Sequence, residues 1–248
     1  MQILGIDIGG TGIKGGVVDT DTGQLLTERV KVLTPVPSTP KSVAKVVNDI
    51  AAKFDFKGPI GLGFPAIIRK GIVCSASNID HSWIGTNSET LFTEETGQPC
   101  FVANDADVAG FAEMAYGEVP SSEGVVLFLT IGTGIGSALF IDGKLVPNSE
   151  MGHLYWTNGE IAEKYISNKV RKAEGMSWEL FGKRLNRYLL HIEKLFSPEL
   201  IIIGGGISKD FGEFKSQLTL PVKVIPAILQ NSAGVIGAAM YARSRMDS

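Results

Sequence analysis

The chain has 248 residues, 44% hydrophobic and 20% charged, enough to bury one large core or two modest ones, with no compositional sign of disorder. Its net charge of −3 argues against nucleic acid as a partner of the whole chain, because that footprint is strongly basic. No stretch approaches the roughly 20 apolar residues of a membrane span, and the first ten residues lack a charged leader followed by an apolar run, so a cytoplasmic protein without a membrane partner is expected. Cys74 and Cys100 lie in apolar, strand-like surroundings and read as buried, inert thiols.

Residues 2–8 are an apolar run, and 15–19 and 25–32 read as further strands joined by the turn-rich segment 19–23. Gly10, Gly12 and Gly15 satisfy G-x-G-x-x-G, but a dinucleotide fingerprint must open a helix, and here the glycines open another strand. After a proline-rich rigid loop at 35–40, residues 42–54 carry apolar side chains at helical spacing. Strands are expected at 59–65, 71–76 and 100–103, with helices at 88–96 and 106–116. The second half opens with an apolar strand at 125–131, then Gly132-Thr133-Gly134-Ile135-Gly136 and a strand at 137–141. That repeats the opening strand, glycine turn and strand 123 residues further on. Residues 180–196 form the clearest amphipathic helix, 200–203 a strand running into Gly204-Gly205-Gly206, and 232–243 a closing helix. Alternating helices and strands predict an α/β protein.

Three apolar strands thus end in glycine clusters: Gly9-Gly10-Thr11-Gly12, Gly132-Thr133-Gly134 and Gly204-Gly205-Gly206. Glycine lets successive amides point the same way and lets an anion approach closely, so phosphate binding is the expected use of the three. Lys14 is placed either to neutralise a phosphoryl group or simply to face solvent. Asp7, ending the first strand, would repel an anion unless a cation lay between them, which suggests Mg²⁺ held through water. There is no G-x-x-x-x-G-K-[ST] sequence, which excludes a P-loop enzyme.

Asn104 and Asp105 sit where a strand gives way to a helix, so Asp105 is either a reactive carboxylate or a helix cap. Glu150, His153, Glu160 and Glu163 form a second polar group, of the kind that pairs with sugar hydroxyls. Zinc is not expected, since its four ligands are not met locally.

On these residues the chain resembles the ROK family of sugar kinases, within the actin-like, sugar kinase and Hsp70 fold group, over essentially its whole length. The resemblance implies a two-lobed actin-like ATPase fold (a duplicated ribonuclease H-like unit) with a cleft between the lobes. The expected division is 1–103, joined by the C-terminal helix 232–248, and 104–231. Residues 7–14, 129–139 and 201–208 resemble the family's three phosphate motifs. Asn104-Asp105 resembles its sugar-binding pair, with Asp105 in the place of the catalytic base, and Glu150-Met-Gly-His153 its Glu-x-Gly-His motif. Glu163 matches the later sugar-binding glutamate better than Glu160, and Asn78 joins the sugar set. The cysteine cluster that binds zinc in many members is missing. The short chain, that missing cluster and the run at 177–209 place the resemblance with the members that phosphorylate glucose from inorganic polyphosphate. A homodimer is implied as well.

Between residues 164 and 187, seven basic residues (Lys164, Lys169, Arg171, Lys172, Lys183, Arg184, Arg187) face two glutamates. This segment carries +5 and the remainder of the chain −8. It is either a track for a polyanion such as polyphosphate or a solvated helix surface. The expected reaction is phosphoryl transfer from polyphosphate or ATP to the 6-hydroxyl of glucose, with Asp105 as base. The rivals are an ATP-dependent kinase of another hexose or amino sugar, and a sugar-responsive regulator without turnover.

Overall fold

The structure, a computed structural model, describes residues 1–77, 79–156 and 159–247. The chain divides into two compact units, Met1–Tyr116 with Ser232–Ser248, and Gly117–Asn231.

The first unit is built on a sheet in the order β3-β2-β1-β5-β8, with β4 also pairing to β2. The strands are β1 (Gln2–Ile8), β2 (Gly12–Asp19), β3 (Gln24–Leu25), β4 (Val30–Leu33), β5 (Ile60–Phe64) and β8 (Cys100–Asn104). The glycine turn joins β1 to β2 antiparallel, whereas β1, β5 and β8 run parallel, as the intervening helices α1 (Pro40–Lys53) and α2 (Ser88–Thr96) require. Each helix starts on a side-chain cap: Thr39 accepts the Ser42 amide ahead of Pro40, and Asn87 accepts the Thr90 amide. α1 turns Val43, Val47 and Ile50 onto the sheet, where they are buried with Leu4, Ile6, Leu62 and Trp83.

Sequence expectation differs from the structure at 71–76. A short hairpin of β6 (Ile68–Arg69) and β7 (Ile72–Val73), turned by Gly71 at φ +78°, replaces the single strand. Cys74 just beyond it is exposed, not buried, because β7 ends before it. Cys100, on the central sheet, is buried.

The second unit repeats the arrangement. Its strands β9 (Val125–Ile131), β10 (Ile135–Ile141), β11 (Lys144–Val146), β12 (Leu200–Gly204) and β13 (Lys223–Pro226) take the order β11-β10-β9-β12-β13. Again the first two are antiparallel across a glycine turn and the next pairings parallel. The long helix α6 (Trp178–Phe196), preceded by α4 (Glu163–Ile166) and α5 (Asn168–Ala173) and followed by α7 (Phe211–Phe214), buries Phe181, Leu185, Tyr188, Leu189 and Ile192 against this sheet.

α3 (Asp105–Tyr116) packs on the C-terminal helix α8 (Ala233–Met246), so the first unit extends to Tyr116, past the boundary at 103 expected from sequence. Among the described residues no helix is long and apolar enough to cross a membrane.

Candidate active site

In the first unit the parallel strands β1, β5 and β8 deliver their C-terminal ends to one edge of the sheet, the edge at which open α/β sheets bind ligands. β1 delivers Asp7 and the turn Gly9–Gly12; β8, two strand positions away, delivers Asn104 and Asp105. At a strand spacing of roughly 4.8 Å, the turn and Asp105 are separated by about 10 Å across the sheet.

Asn104 is buried and its side-chain oxygen accepts the amides of Ala106 (2.9 Å) and Asp107 (3.3 Å), while its amide donates to the Ala66 carbonyl at 3.2 Å. Asn104 is therefore the cap of α3. Asp105 occupies the first helical position, half-buried, with one carboxylate oxygen on the Ala106 amide at 2.8 Å. The capping alternative for Asp105 is thus taken by its neighbour Asn104. Asn78 lies outside the described residues.

Asp7 and Lys14 stand directly opposite across β1 and β2, and the ammonium meets the carboxylate at 2.8 Å. Neither reading of Lys14 from sequence anticipated this partner. Gly234, in the first turn of α8, presses against Asp7: a Cβ there would lie 2.7 Å from the Asp7 carboxylate carbon. Gly10 and Thr11 are exposed at the tip of the turn.

A hard cation is bound by oxygen, and Mg²⁺ retains several waters and takes one or two carboxylates together with substrate phosphates. Among the described residues no group of three or more His, Cys, Asp or Glu could hold a metal. One carboxylate, Asp7, beside a turn of exposed amides fits a cation carried by a phosphate donor and held through water, and does not fit an all-protein cage.

The second unit holds the Glu150–His153 segment on its own set of braces. Ser137 of β10 accepts the Met151 amide at 2.9 Å and donates to the Ser149 carbonyl at 2.6 Å, and Ser149 returns a bond to the Ser137 carbonyl at 3.1 Å. The buried Tyr188 hydroxyl, from α6, donates to the Met151 carbonyl at 3.0 Å. Gly152 presses on the Ile135 carbonyl so closely that a Cβ would overlap it, which is why the motif has glycine there. So held, Glu150 meets His153 Nδ1 at 3.3 Å, and burial raises its carboxyl above the usual glutamate range.

Glu163 accepts the Ile135 amide at 3.1 Å and lies against Gly134, which ties it to the second glycine turn. Glu160 instead pairs with Lys164 at 3.0 Å on the surface. The second and third turns are neighbours, since Gly204 pairs with Thr130 where β9 and β12 run parallel. Gly205, at φ +75°, packs on the Ile131 backbone, which leaves no room for a side chain.

The basic segment is not uniform. Lys164, Lys183 and Arg184 are paired to Glu160, Glu179 and Glu174, Arg171 lies 3.8 Å over the Trp178 ring, and Arg187 covers Trp156 at 5.5 Å. Lys169 and Lys172 are exposed on α5, and no ion pair engages them among the described residues. The Lys169 amide donates to the Gly132 carbonyl at 3.2 Å, so this helix begins on the second glycine turn.

The model of the ROK family matches residues 3–164, 162 of the 248. The chain belongs to the ROK family. Among ROK relatives, the polyphosphate glucokinase of Mycobacterium tuberculosis (strain CDC 1551 / Oshkosh) is 46% identical over 96% of this chain and 89% of that protein. The crystal structure of an inorganic polyphosphate/ATP-glucomannokinase from Arthrobacter sp. strain KM is 48% identical, with a TM-score of 0.91 over 98% of this chain and 99% of that one. The ROK glucokinase of Streptomyces griseus, at 24% identity and a TM-score of 0.80, shares the fold over 98% of this chain. The actin-like sugar kinase fold that the resemblance implies is thus the fold of the chain.

Proposed function

We propose that the chain transfers a phosphoryl group from inorganic polyphosphate or ATP to the 6-hydroxyl of glucose, giving glucose 6-phosphate. The observation that carries this reading is the placing of Asp105, a half-buried carboxylate at the head of α3, on the same sheet edge as the Gly9–Gly12 turn. The identity of 46–48% with polyphosphate-using sugar kinases over nearly the whole chain supports the substrates.

In this reading Asp105 takes the proton of the 6-hydroxyl as the new O–P bond forms and the donor's P–O bond breaks, leaving ADP or a polyphosphate one unit shorter. Asn104 fixes the head of α3, from which Asp105 projects, and Asn78, Glu150, His153 and Glu163 take the sugar hydroxyls. Gly9, Gly10, Thr11 and Gly12, with the turns at Gly132, Thr133 and Gly134 and at Gly204, Gly205 and Gly206, offer amides and hydroxyls to the donor. Such catalysis is mostly positioning and charge stabilisation. Mg²⁺, held by Asp7 through water, supplies neutralisation of the donor phosphates when bound, and Lys14 fixes the Asp7 carboxylate.

Lys169 and Lys172 are the members of the basic segment suited to a polyphosphate chain, since the others already serve carboxylates or rings. Mannose is a second acceptor under this proposal, favoured by the likeness to a glucomannokinase. The protein would act as a cytoplasmic homodimer.

Asp105→Asn tests the base. The variant should fold and bind glucose as before and lose turnover by roughly 10²–10⁴-fold; near-normal turnover in the folded variant would sink the assignment.

A further inference from the structure

The loop that connects β4 to α1 also grips the first glycine turn. Thr34 follows β4 directly, and its hydroxyl donates to the Gly9 carbonyl at 2.5 Å. Its amide approaches the Thr11 carbonyl at 3.5 Å, and the Gly9 amide closes the turn onto the Gly12 carbonyl at 3.1 Å. The far end of the loop is fixed too. The fully buried Trp83 donates its ring N–H to the Ser38 carbonyl at 2.9 Å, and the Ser38 hydroxyl accepts the Asp80 amide at 3.1 Å. Thr34 is therefore anchored at the end of a strand, with the loop beyond it pinned.

In a trans peptide the carbonyl of one residue and the N–H of the next point to opposite sides of the chain. A hydroxyl that holds the Gly9 carbonyl therefore aims the Gly10 amide the other way. The Gly9–Gly10 peptide has glycine on both sides, so nothing steric in its own residues opposes a flip that would turn the carbonyl out and the amide in. Gly10 is exposed, and its amide donates to no backbone group among the described residues. We infer that Thr34 is a positioning residue for phosphoryl transfer: its hydroxyl keeps the Gly10 amide turned outward as a donor to the anionic phosphate. A flipped peptide would present a carbonyl to that anion, replacing attraction with repulsion.

The inference rests on the reading of the first turn as a phosphate site, and its test separates the two. Thr34→Val keeps the shape and removes the hydroxyl; Thr34→Ser keeps the hydroxyl. With saturating glucose, T34V should lower kcat/KM for the phosphoryl donor by about 10- to 100-fold, short of the full loss of a fixed anion donor. The KM for glucose should stay within about twofold, and T34S should restore most of the loss. In parallel, ¹⁵N-labelled protein titrated with inorganic tripolyphosphate should show a shift of the Gly10 amide in wild type and in T34S, and a weakened one in T34V. Equal tripolyphosphate shifts and equal donor kinetics in wild type and T34V would overturn the role of Thr34 and leave the phosphate site standing. Loss of kcat/KM for glucose and donor alike, with a lowered Tm and no rescue by serine, would also overturn it, as a purely structural effect. A wild-type Gly10 amide that ignores tripolyphosphate would overturn the phosphate site itself.

Discussion

Glu150 is held at a cost to the fold. Burial is the main reason its carboxyl lies above the usual glutamate range, while His153 pulls it down and Glu163 pushes it further up. A raised carboxyl favours the native state most when it is protonated, and that contribution is lost as pH rises through its folded value. Glu150→Gln should therefore gain stability over wild type as pH rises from about 4 to 7 while weakening glucose binding; thermal melts across that range check the sign, and a gap that shrinks with pH would contradict it. The two thiols offer another test. Cys74 is exposed, whereas burial pushes the Cys100 thiol up to about 11. One thiol per chain should react quickly with a disulfide reagent at pH 8 in the native protein, and two after denaturation. Sequence reading singled out Asp105, Glu150, His153 and the glycine turns as candidates because polar residues and glycine clusters stand out against apolar strands. Thr34, Ser137 and Tyr188 escaped it. Their hydroxyls serve backbone groups 12 to 37 residues away, a relation that no local spacing encodes.

At the scale of elements, the longer capped helices α1, α2 and α6 were legible to within two residues, whereas the short α4, α5 and α7 were not anticipated, although Ser167 caps α5. α2 was expected at 88–96 and found there, with Asn87 before it and Gly97 left-handed after it. α8 gave a weaker pattern because it is buried on more than one side, between the sheet and α3, so small residues line several faces. Gly5 and Gly61 of the sheet and Gly237 of the helix make this packing possible, since a Cβ on each would strike a backbone carbonyl of a neighbouring element. Alanine usually stabilises an exposed helix interior by about 1 kcal/mol over glycine. Gly237→Ala should do the reverse, destabilising the protein by about 1–3 kcal/mol through overpacking, as urea unfolding would read. Tyr188→Phe keeps the volume of α6 and removes the bond to the Met151 carbonyl. It should cost about 1 kcal/mol in stability and raise the KM for glucose more than it lowers kcat, measured by initial rates over a glucose series.

For the whole molecule, the 123-residue repeat in the sequence announced the duplicated sheet, because the strand, glycine turn and strand must read alike in both halves. The boundary between units was less legible, since the allegiance of α3 depends on its packing against a helix more than a hundred residues away in sequence. Net charge by segment found the basic stretch but not which of its cations already have partners. Reversing the two exposed ones, Lys169→Glu with Lys172→Glu, should raise the KM for long-chain polyphosphate several-fold, leave ATP and glucose less affected, and flatten the salt dependence of polyphosphate use. An equal effect on both donors would remove these lysines from the polyphosphate site. The central claim is tested most directly by following glucose 6-phosphate formation from purified protein with Mg²⁺, supplied in separate reactions with long-chain polyphosphate and with ATP. Glucose 6-phosphate should form with polyphosphate, and with ATP as a second donor; no product with either would contradict the assignment as a glucose phosphotransferase.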